Sequence, residues 1–537
     1  MVLKPGATIE EMRAAFRWEV PDRFNIGRAI CDVPAARDPE AVAIIDAPEG
    51  GPVRRWTRAE LKSLADGMAY GMAGMAGPGD RIGVLLAQRP ETAAAHIAIQ
   101  KLGAIALPLF KLFGPDALRH RLKDSGARLV ITDAEGAGLL AGLRADLPAL
   151  ERVIAIGSGG DLTLDALVAG RGGHFEPEDT AAADPAILIY TSGTTGPPKG
   201  ALLPQSTLIG HLPGVEMSHD VLPQPGDCLW TPADWAWIGG LIDVMMPALY
   251  HGVPLVACRF GKFSAEAAFD LIRTHGVKNA FLPPTALKIM AQMPDPPSLG
   301  MRSVASGGES LGAGLLEWGR RVFGVTINEF YGQTECNMIV SSCGALAPAV
   351  PGAMGFAVPG HEVAVLGADG HPAAEGEEGE IAVKAPDPVM FLGYWNRPDA
   401  TAEKFRTVDG ARWLMTGDRG WQGADGRLRF VGRGDDVISS GGYRIGPGEI
   451  EDCLLAHPDV AMAGVVGRPD DTRGEAIVAF VVPCDPERAG RELAEALKAH
   501  VAARLARHEV PREVRFVEAM PLTTTGKIIR AELRRQL

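Results

Sequence analysis

Ile189-Tyr-Thr-Ser-Gly-Thr-Thr-Gly-Pro-Pro-Lys-Gly200 is the stretch on which the reading of this chain turns. The apolar run Ala186 to Tyr190 reads as a buried strand, and it ends in a segment of glycine, serine and threonine closed by Lys199. Successive backbone N–H groups in such a loop converge on an anion. Small residues let the backbone come close, hydroxyls add donors, and the lysine adds charge. That is the chemistry of a polyphosphate cradle. A Walker A loop would run from its last glycine through Lys-[Ser/Thr] directly into a helix. Here Pro197 and Pro198 separate Gly196 from Lys199, so no helix starts where the Walker lysine would stand.

Length and composition set the frame. A chain of 537 residues is too long for one core and is expected to divide into two or more domains. With 46% apolar residues, 66 glycines and 41 prolines it reads as a loop-rich α/β protein. The net charge of −13 argues against a nucleic-acid surface, and no polybasic membrane patch is present. Met1 to Val20 alternates charged and apolar residues, unlike a signal peptide. The most apolar long stretch, Ile238 to Cys258, carries Asp243, His251 and two prolines and is expected in a core rather than a membrane. Seven scattered cysteines without a C-x-x-C pair fit a reduced, cytoplasmic protein without structural zinc.

From about residue 80, short apolar runs alternate with helical patterns. Strands are expected at 81–87, 128–132, 254–257 and 279–282, and helices at 91–102 and 264–275. This is the signature of βαβ units and a mostly parallel sheet. Near Gly360 the texture changes, and 362–366 with 379–384 reads as a hairpin of a smaller antiparallel unit. The last hundred residues form a further α+β unit, with helices at 449–457 and 488–505 and strands at 460–466 and 477–482. A boundary at 434/435 gives domains 1–434 and 435–537.

Five further segments stand in order behind the loop: Ser306-Gly-Gly-Glu-Ser310, Glu329-Phe-Tyr-Gly-Gln-Thr-Glu335, Thr416-Gly-Asp418, Gly432 to Gly446 and Pro521-Leu-Thr-Thr-Thr-Gly-Lys527. Together with the loop, they resemble the adenylate-forming enzymes: acyl-CoA synthetases, peptide-synthetase adenylation domains and firefly luciferase. The resemblance covers nearly the whole chain. It implies a large N-terminal domain of parallel-rich α/β sheets plus a distorted β-barrel, and a small mobile C-terminal domain. It also implies a residue-by-residue assignment. Thr191, Ser192, Gly193, Thr194, Thr195, Gly196 and Lys199 would hold the β- and γ-phosphates. Gly308, Glu309, Ser310 and Glu329 would line the nucleotide pocket, and Tyr331 would stack on adenine. Thr334 would donate to the α-phosphate and Glu335 would hold Mg²⁺, a hard cation suited to a carboxylate beside phosphates. Asp418 would accept the ribose hydroxyls together with Arg433, fifteen positions on.

Asp435 occupies the family's hinge position, and Gly442, Tyr443 and Arg444 lie on the loop that meets coenzyme A. Gly441 and Gly448 stand where relatives often carry Ser and Phe. Lys527 matches the catalytic lysine. In bacterial relatives a similar context is acetylated, which makes a lysine acetyltransferase and deacetylase candidate partners, with a homodimer as a further one. ATP, Mg²⁺ and coenzyme A are the implied cofactors and co-substrates.

For the acid itself, Gly307, Gly332, Trp235 and Trp237 mark the expected acyl pocket. Acetyl-CoA synthetases carry a pocket-plugging tryptophan at the position of Gly332, so glycine is expected to open space for a longer chain. The segment Pro232-Ala-Asp-Trp-Ala-Trp-Ile-Gly239 resembles the pocket lining of short- and medium-chain acyl-CoA synthetases, and its two indoles would limit depth. Propionate-sized, branched, thioether-bearing and small cyclic or aromatic acids all fit. The expected reaction is ATP-dependent acyl-CoA formation through an acyl-adenylate. The alternatives are transfer of the acyl group to a carrier-protein thiol, an oxidation of luciferase type, and a nucleotide-binding regulator that has lost catalysis.

Overall fold

The computed structural model describes every residue except 5, 192–197, 310, 435, 441–442, 471–473, 506–508 and 524–525, together with the side chains of 439, 443 and 444. Two large sheets carry the first half of the chain. The first has eight strands, in the order Gly393–Tyr394, Lys199–Pro204, Pro185–Thr191, Ile105–Pro108, Arg81–Leu85, Leu129–Asp133, Arg152–Ile156 and Leu162–Thr163. From Pro185–Thr191 outward to Leu162–Thr163 the pairing is parallel. Helices cover both faces, which is why strands such as Ile105–Pro108 are buried at every position.

The second sheet has nine strands. Its centre runs in parallel through Ile327–Gln333, Ser303–Gly307, Asn279–Phe281, Leu229–Trp230, Leu255–Ala257 and Val42–Asp46. Antiparallel strands close both of its edges. Local signals place the helices between these strands. Ser264 caps the helix Ala265–His275 by accepting the Ala267 N–H, and Gly276 ends it in the left-handed region at φ +64°.

The expected hairpin is present, with Val363–Leu366 antiparallel to Gly379–Lys384. The long strand Ala411–Gln422 joins it, together with Phe405–Val408 and Leu428–Arg433, to make a five-stranded antiparallel sheet. The expected distorted barrel corresponds to this unit, whose pairing does not close into a ring among the described residues. A fourth sheet is built from residues after 437 alone, around the long pair Val460–Asp470 and Gly474–Pro483, and has its own apolar core. It forms the small C-terminal domain.

Ile238 to Cys258 is the buried core segment expected. A π-helical turn, Leu241–Met245, leads into Met246–His251 and the inner strand Leu255–Ala257. None of the described helices is long and apolar enough to cross a membrane.

One polar cluster stands deep in the large domain. Lys101, fully buried, reaches Asp32 at 2.9 Å and Asp66 at 2.5 Å, and Lys62 pairs with the same two carboxylates. Two lysines and two aspartates balance in charge, so the cluster is a structural clamp between helices. Lys101→Met is expected to cost about 3 kcal/mol. That is the low end for removing one partner of a buried pair, because Lys62 still serves both carboxylates. All nine tryptophans lie at or before position 421. Urea unfolding followed by indole fluorescence therefore reads the large domain by itself, and an unchanged midpoint would refute the clamp.

Candidate active site

Ligands of open α/β sheets bind beyond the carboxyl ends of the strands. Ser303–Gly307 and Ile327–Gln333 are parallel neighbours, with Ser306 opposite Glu329 and Gly307 opposite Phe330. Both quoted motifs therefore leave the same sheet edge. Gly308 turns away at φ +100°, a conformation that a side-chain-bearing residue rarely adopts. Glu309 is half-buried, with Lys288 Nζ 3.6 Å from its carboxylate. Glu329 is buried, and its Oε1 accepts the Leu311 N–H at 2.6 Å, so this carboxyl pins the 308–311 loop. Burial, reinforced by Asp452 of the C-terminal domain, raises its pKa to about 8. At neutral pH it is largely uncharged.

The antiparallel sheet brings together the two residues expected to meet the ribose. Asp418 and Arg433 are direct cross-strand partners, which explains their sequence spacing, and Arg433 Nη1 lies 3.2 Å from Asp418 Oδ1. Tyr331 Oη donates to Asp418 Oδ2 at 2.6 Å, and Gln333 Nε2 reaches the same oxygen at 3.2 Å. Burial raises the Asp418 pKa, opposed first by Arg433 and then by the Tyr331 hydrogen bond. Burial and the Asp418 charge hold the Tyr331 phenol protonated. Lys404 supports this group from behind, donating to Gln333 Oε1 at 3.1 Å and to the carbonyls of Met415 and Thr416. Sequence reading missed Lys404, which no local motif marks.

Thr334 and Glu335 form the two-residue turn of a hairpin in which Gln333 pairs with Cys336. Glu335 is 7% exposed, and its Oε1 accepts a short hydrogen bond from Tyr394 Oη. No lysine or arginine pairs with it among the described residues. A buried carboxylate with only a phenol partner is a good hard-cation ligand, because a dication would offset its desolvation. Tyr394 lies on a short strand paired with Ala201 and Leu202, and Lys199 Nζ stands 5.2 Å from its ring centroid. This tyrosine, also missed by sequence reading, thus links the loop lysine to Glu335. Thr191 and Lys199 are paired across the base of the loop, and Lys199 opens a strand, consistent with the exclusion of a Walker helix.

Lys527 arrives from the other domain. Thr523 N–H donates to the Lys527 carbonyl at 2.7 Å, and Lys527 N–H donates to Thr523 Oγ1 at 3.0 Å. The lysine Nζ lies 3.8 Å from where a Cβ on Gly308 would stand, and its charge lowers the Asp418 pKa. A cation from the C-terminal domain therefore sits over Gly308, within electrostatic reach of Asp418.

The acyl-pocket residues are less open than expected. A Cβ on Gly332 would lie 2.2 Å from Asn337 Oδ1 and 2.9 Å from Asn337 Cα. The Cβ position at Gly332 is thus occupied by Asn337, where open space was expected. Gly307 is pressed against the Phe330 ring, at 2.6 Å from a Cβ. Trp235, 1% exposed, belongs to the main core. Trp237 is half-buried and packs against Phe110 and Phe113, with centroids at 5.7 and 5.8 Å. Ser192, Gly193, Thr194, Thr195, Gly196, Ser310, Asp435 and Gly442 lie outside the described residues, as do the side chains of Tyr443 and Arg444. The backbone of Tyr443–Ile445 pairs antiparallel with Ile438–Ser440.

Comparison with known proteins gives one consistent answer. Residues 31–395 match the family described as AMP-binding enzyme, and residues 449–527 match the AMP-binding enzyme C-terminal domain. An uncharacterized acyl–CoA ligase of Bacillus subtilis (strain 168), YtcI, is 30% identical over 96% of this chain and 96% of its own length. The mitochondrial acyl-coenzyme A synthetase ACSM4 of Mus musculus is 30% identical over 98% of this chain and 93% of its own. The crystal structure of an acyl-CoA synthetase from Brucella canis superimposes with a TM-score of 0.72 at 31% identity, covering 98% and 97% of the two chains.

Proposed function

Since the chain belongs to the AMP-binding family of adenylate-forming enzymes, as an acid–CoA ligase, we propose that it activates a short- to medium-chain carboxylic acid with ATP and Mg²⁺ and passes the acyl group to coenzyme A. The placement of Lys527 over Gly308, within electrostatic reach of Asp418, is the observation that carries this reading. A lysine from the small domain stands at the nucleotide face of the large one.

In the first half-reaction a carboxylate oxygen attacks the α-phosphorus. A P–O bond forms, the bond to the β-phosphate oxygen breaks, and pyrophosphate leaves. Both reactants are anionic, so catalysis rests on positioning and on cations placed where charge builds up. The acid is already ionised at neutral pH and needs no general base. In our proposal Lys527 bridges the carboxylate and the α-phosphate, Lys199 neutralises the leaving phosphates, and Thr334 donates to the α-phosphate. Asp418 accepts the ribose hydroxyls, with Arg433 orienting it, and Tyr331 sits against the adenine. Glu335, oriented by the Tyr394 hydroxyl, would hold the Mg²⁺. When bound, that ion supplies charge neutralisation to the triphosphate.

In the second half-reaction the coenzyme A thiol gives up its proton and attacks the carbonyl carbon. A C–S bond forms, the C–O bond to AMP breaks, and AMP leaves. For this step we propose rotation of the small domain about Asp435, withdrawing Lys527 and presenting the Gly442-Tyr443-Arg444 loop. Lys527 is exposed, so an acetyltransferase would reach it, and loss of its charge would stop adenylation.

The test is acid-dependent pyrophosphate release across a panel of carboxylic acids, with and without coenzyme A, and mass analysis of the product. An acyl-CoA and AMP in equal amounts are expected. Thioester formation only on a carrier-protein phosphopantetheine would overturn the acceptor assignment, and no pyrophosphate from any acid would overturn catalysis altogether. Asp418→Ala is expected to raise the KM for ATP and to leave the KM for the acid nearly unchanged, since Asp418 touches only the nucleotide side. Equal changes in both constants would show that it acts elsewhere.

A further inference from the structure

Behind Gly332 lies a set of buried polar groups for which a hydrocarbon chain has no use. Asn337 stands directly against Gly332, and its Nδ2 donates to Asp243 Oδ1 at 2.7 Å. The other Asp243 oxygen, Oδ2, lies 3.9 Å from where a Cβ on Gly239 would stand. The nearest neighbour of that same Cβ is the Phe281 ring, 2.8 Å away. Asp243 is thereby placed between the two segments assigned to the acyl pocket, Pro232 to Gly239 and Gly332.

Asp243 is 4% exposed, and neither a lysine nor an arginine pairs with it among the described residues. Burial raises its pKa well above its ordinary value against the opposing Asn337 hydrogen bond, and a raised pKa favours the neutral acid. His211 completes the set. Its Nδ1 donates to the Thr207 carbonyl at 2.6 Å, which leaves the lone pair on Nε2. That nitrogen is buried, lacks a hydrogen-bond partner among the described residues and lies 3.8 Å from Asp243 Oδ1. Burial lowers the His211 pKa to about 3, so the ring is a neutral acceptor.

Buried polar atoms are satisfied in almost every native structure, and an orphan calls for an explanation. Asp243 also lies on the π-helical turn Leu241–Met245, a geometry found frequently at functional sites.

We propose that Asp243, Asn337 and His211 form a polar subsite at the far end of the acyl pocket, and that the acid this enzyme activates bears an O–H or N–H donor distal to its carboxylate. This rests on the acid–CoA ligase reading and narrows it to a substrate class. A hydroxyl matches neutral Asp243 directly, accepting from its O–H while donating its own proton to His211 Nε2. An ammonium group would instead draw Asp243 into its ionised form.

Matched acids test this. Butyrate, 4-hydroxybutyrate and 4-aminobutyrate form one series, and benzoate, 4-hydroxybenzoate and 4-aminobenzoate another. For each, kcat/KM for acyl-CoA formation is measured with the wild-type protein, Asp243→Asn and Asp243→Leu. A subsite built around hydrogen bonds discriminates strongly against analogues that lack the group. The wild type is therefore expected to favour a donor-bearing acid over its parent by about 100-fold or more in at least one series. Asp243→Leu is expected to reduce that ratio at least about tenfold; because both acids of a pair are measured on the same variant, any general loss of rate cancels in the ratio. Asp243→Asn separates the two donors: it keeps the preference for a hydroxyl and loses that for an ammonium.

Two results would overturn the proposal: a wild type that uses the parent acids as well as the donor-bearing ones in both series, or an unchanged ratio in folded Asp243→Leu. The first decides the matter even where the leucine variant does not fold. Absence of acyl-CoA from every acid would instead defeat the ligase reading itself.

Discussion

Lys527→Ala is expected to lower the rate of acyl-adenylate formation at least about 10²- to 10³-fold, the usual effect of removing one preorganised charge from a developing anion. Thioester formation from a supplied acyl-adenylate should stay within a few-fold of wild type. The asymmetry follows from where the lysine acts. In the first step two anions meet at the α-phosphorus, and Lys527, which stands over Gly308, is proposed to bridge them. In the second step the acyl group is already neutral, the leaving AMP carries its own charge, and the nucleophile is a thiol. The side chain contributes little to folding, because Lys527 is exposed and meets Thr523 through its backbone groups rather than through the amine. Pyrophosphate release measures the first step, and coenzyme A consumption from synthetic adenylate measures the second. Equal losses in both would refute this division of labour.

What was legible in the sequence and what was not divide along a physical line. The strands at 81–85, 129–133 and 279–281 are apolar runs bounded by turns, and the helix at 265–275 carries its own cap, so local composition dictates them. The spacing of Asp418 and Arg433 was visible as well, because a hairpin brings the two residues opposite each other. Tyr394, Lys404 and Asn337 were not legible. Tyr394 meets Glu335 from 59 positions away, and Lys404 meets Gln333 from 71. Such contacts arise from how sheets pack, and no local pattern announces them. The acyl pocket was the hardest part. A glycine in a sequence shows that a side chain is missing but not what fills the space, and here it is a neighbour on the next strand.

Gly332→Trp separates those two readings of a glycine. By resemblance alone, an indole at this position should shorten the pocket and turn the enzyme toward acetate. The structure leads to a different expectation: loss of activity on every acid, acetate included, with a stability cost of about 2–6 kcal/mol. The first β-carbon of any side chain at 332 would meet Asn337 at 2.2 Å from its Oδ1 and 2.9 Å from its Cα. Oδ1 would yield by rotation, but Cα belongs to the strand Cys336–Ser341 and moves only with it. Overpacking of this kind costs about 1–3 kcal/mol. Displacing Asn337 also removes the one hydrogen bond to the buried Asp243 side chain among the described residues, and leaving such a group unsatisfied adds about 1–3 kcal/mol. Because the same hairpin carries Thr334 and Glu335 in its turn, a shifted strand would disturb the residues proposed to meet the α-phosphate and Mg²⁺. Adenylation should then fail whatever the acid. Acid-dependent pyrophosphate release reads the first effect and the urea midpoint by fluorescence reads the second, with the added tryptophan's own signal calibrated on the unfolded chain. A stable variant that activates acetate and rejects longer acids would show that the indole enters the acyl pocket and that Asn337 gives way, and the sequence resemblance would then be the better guide at this position.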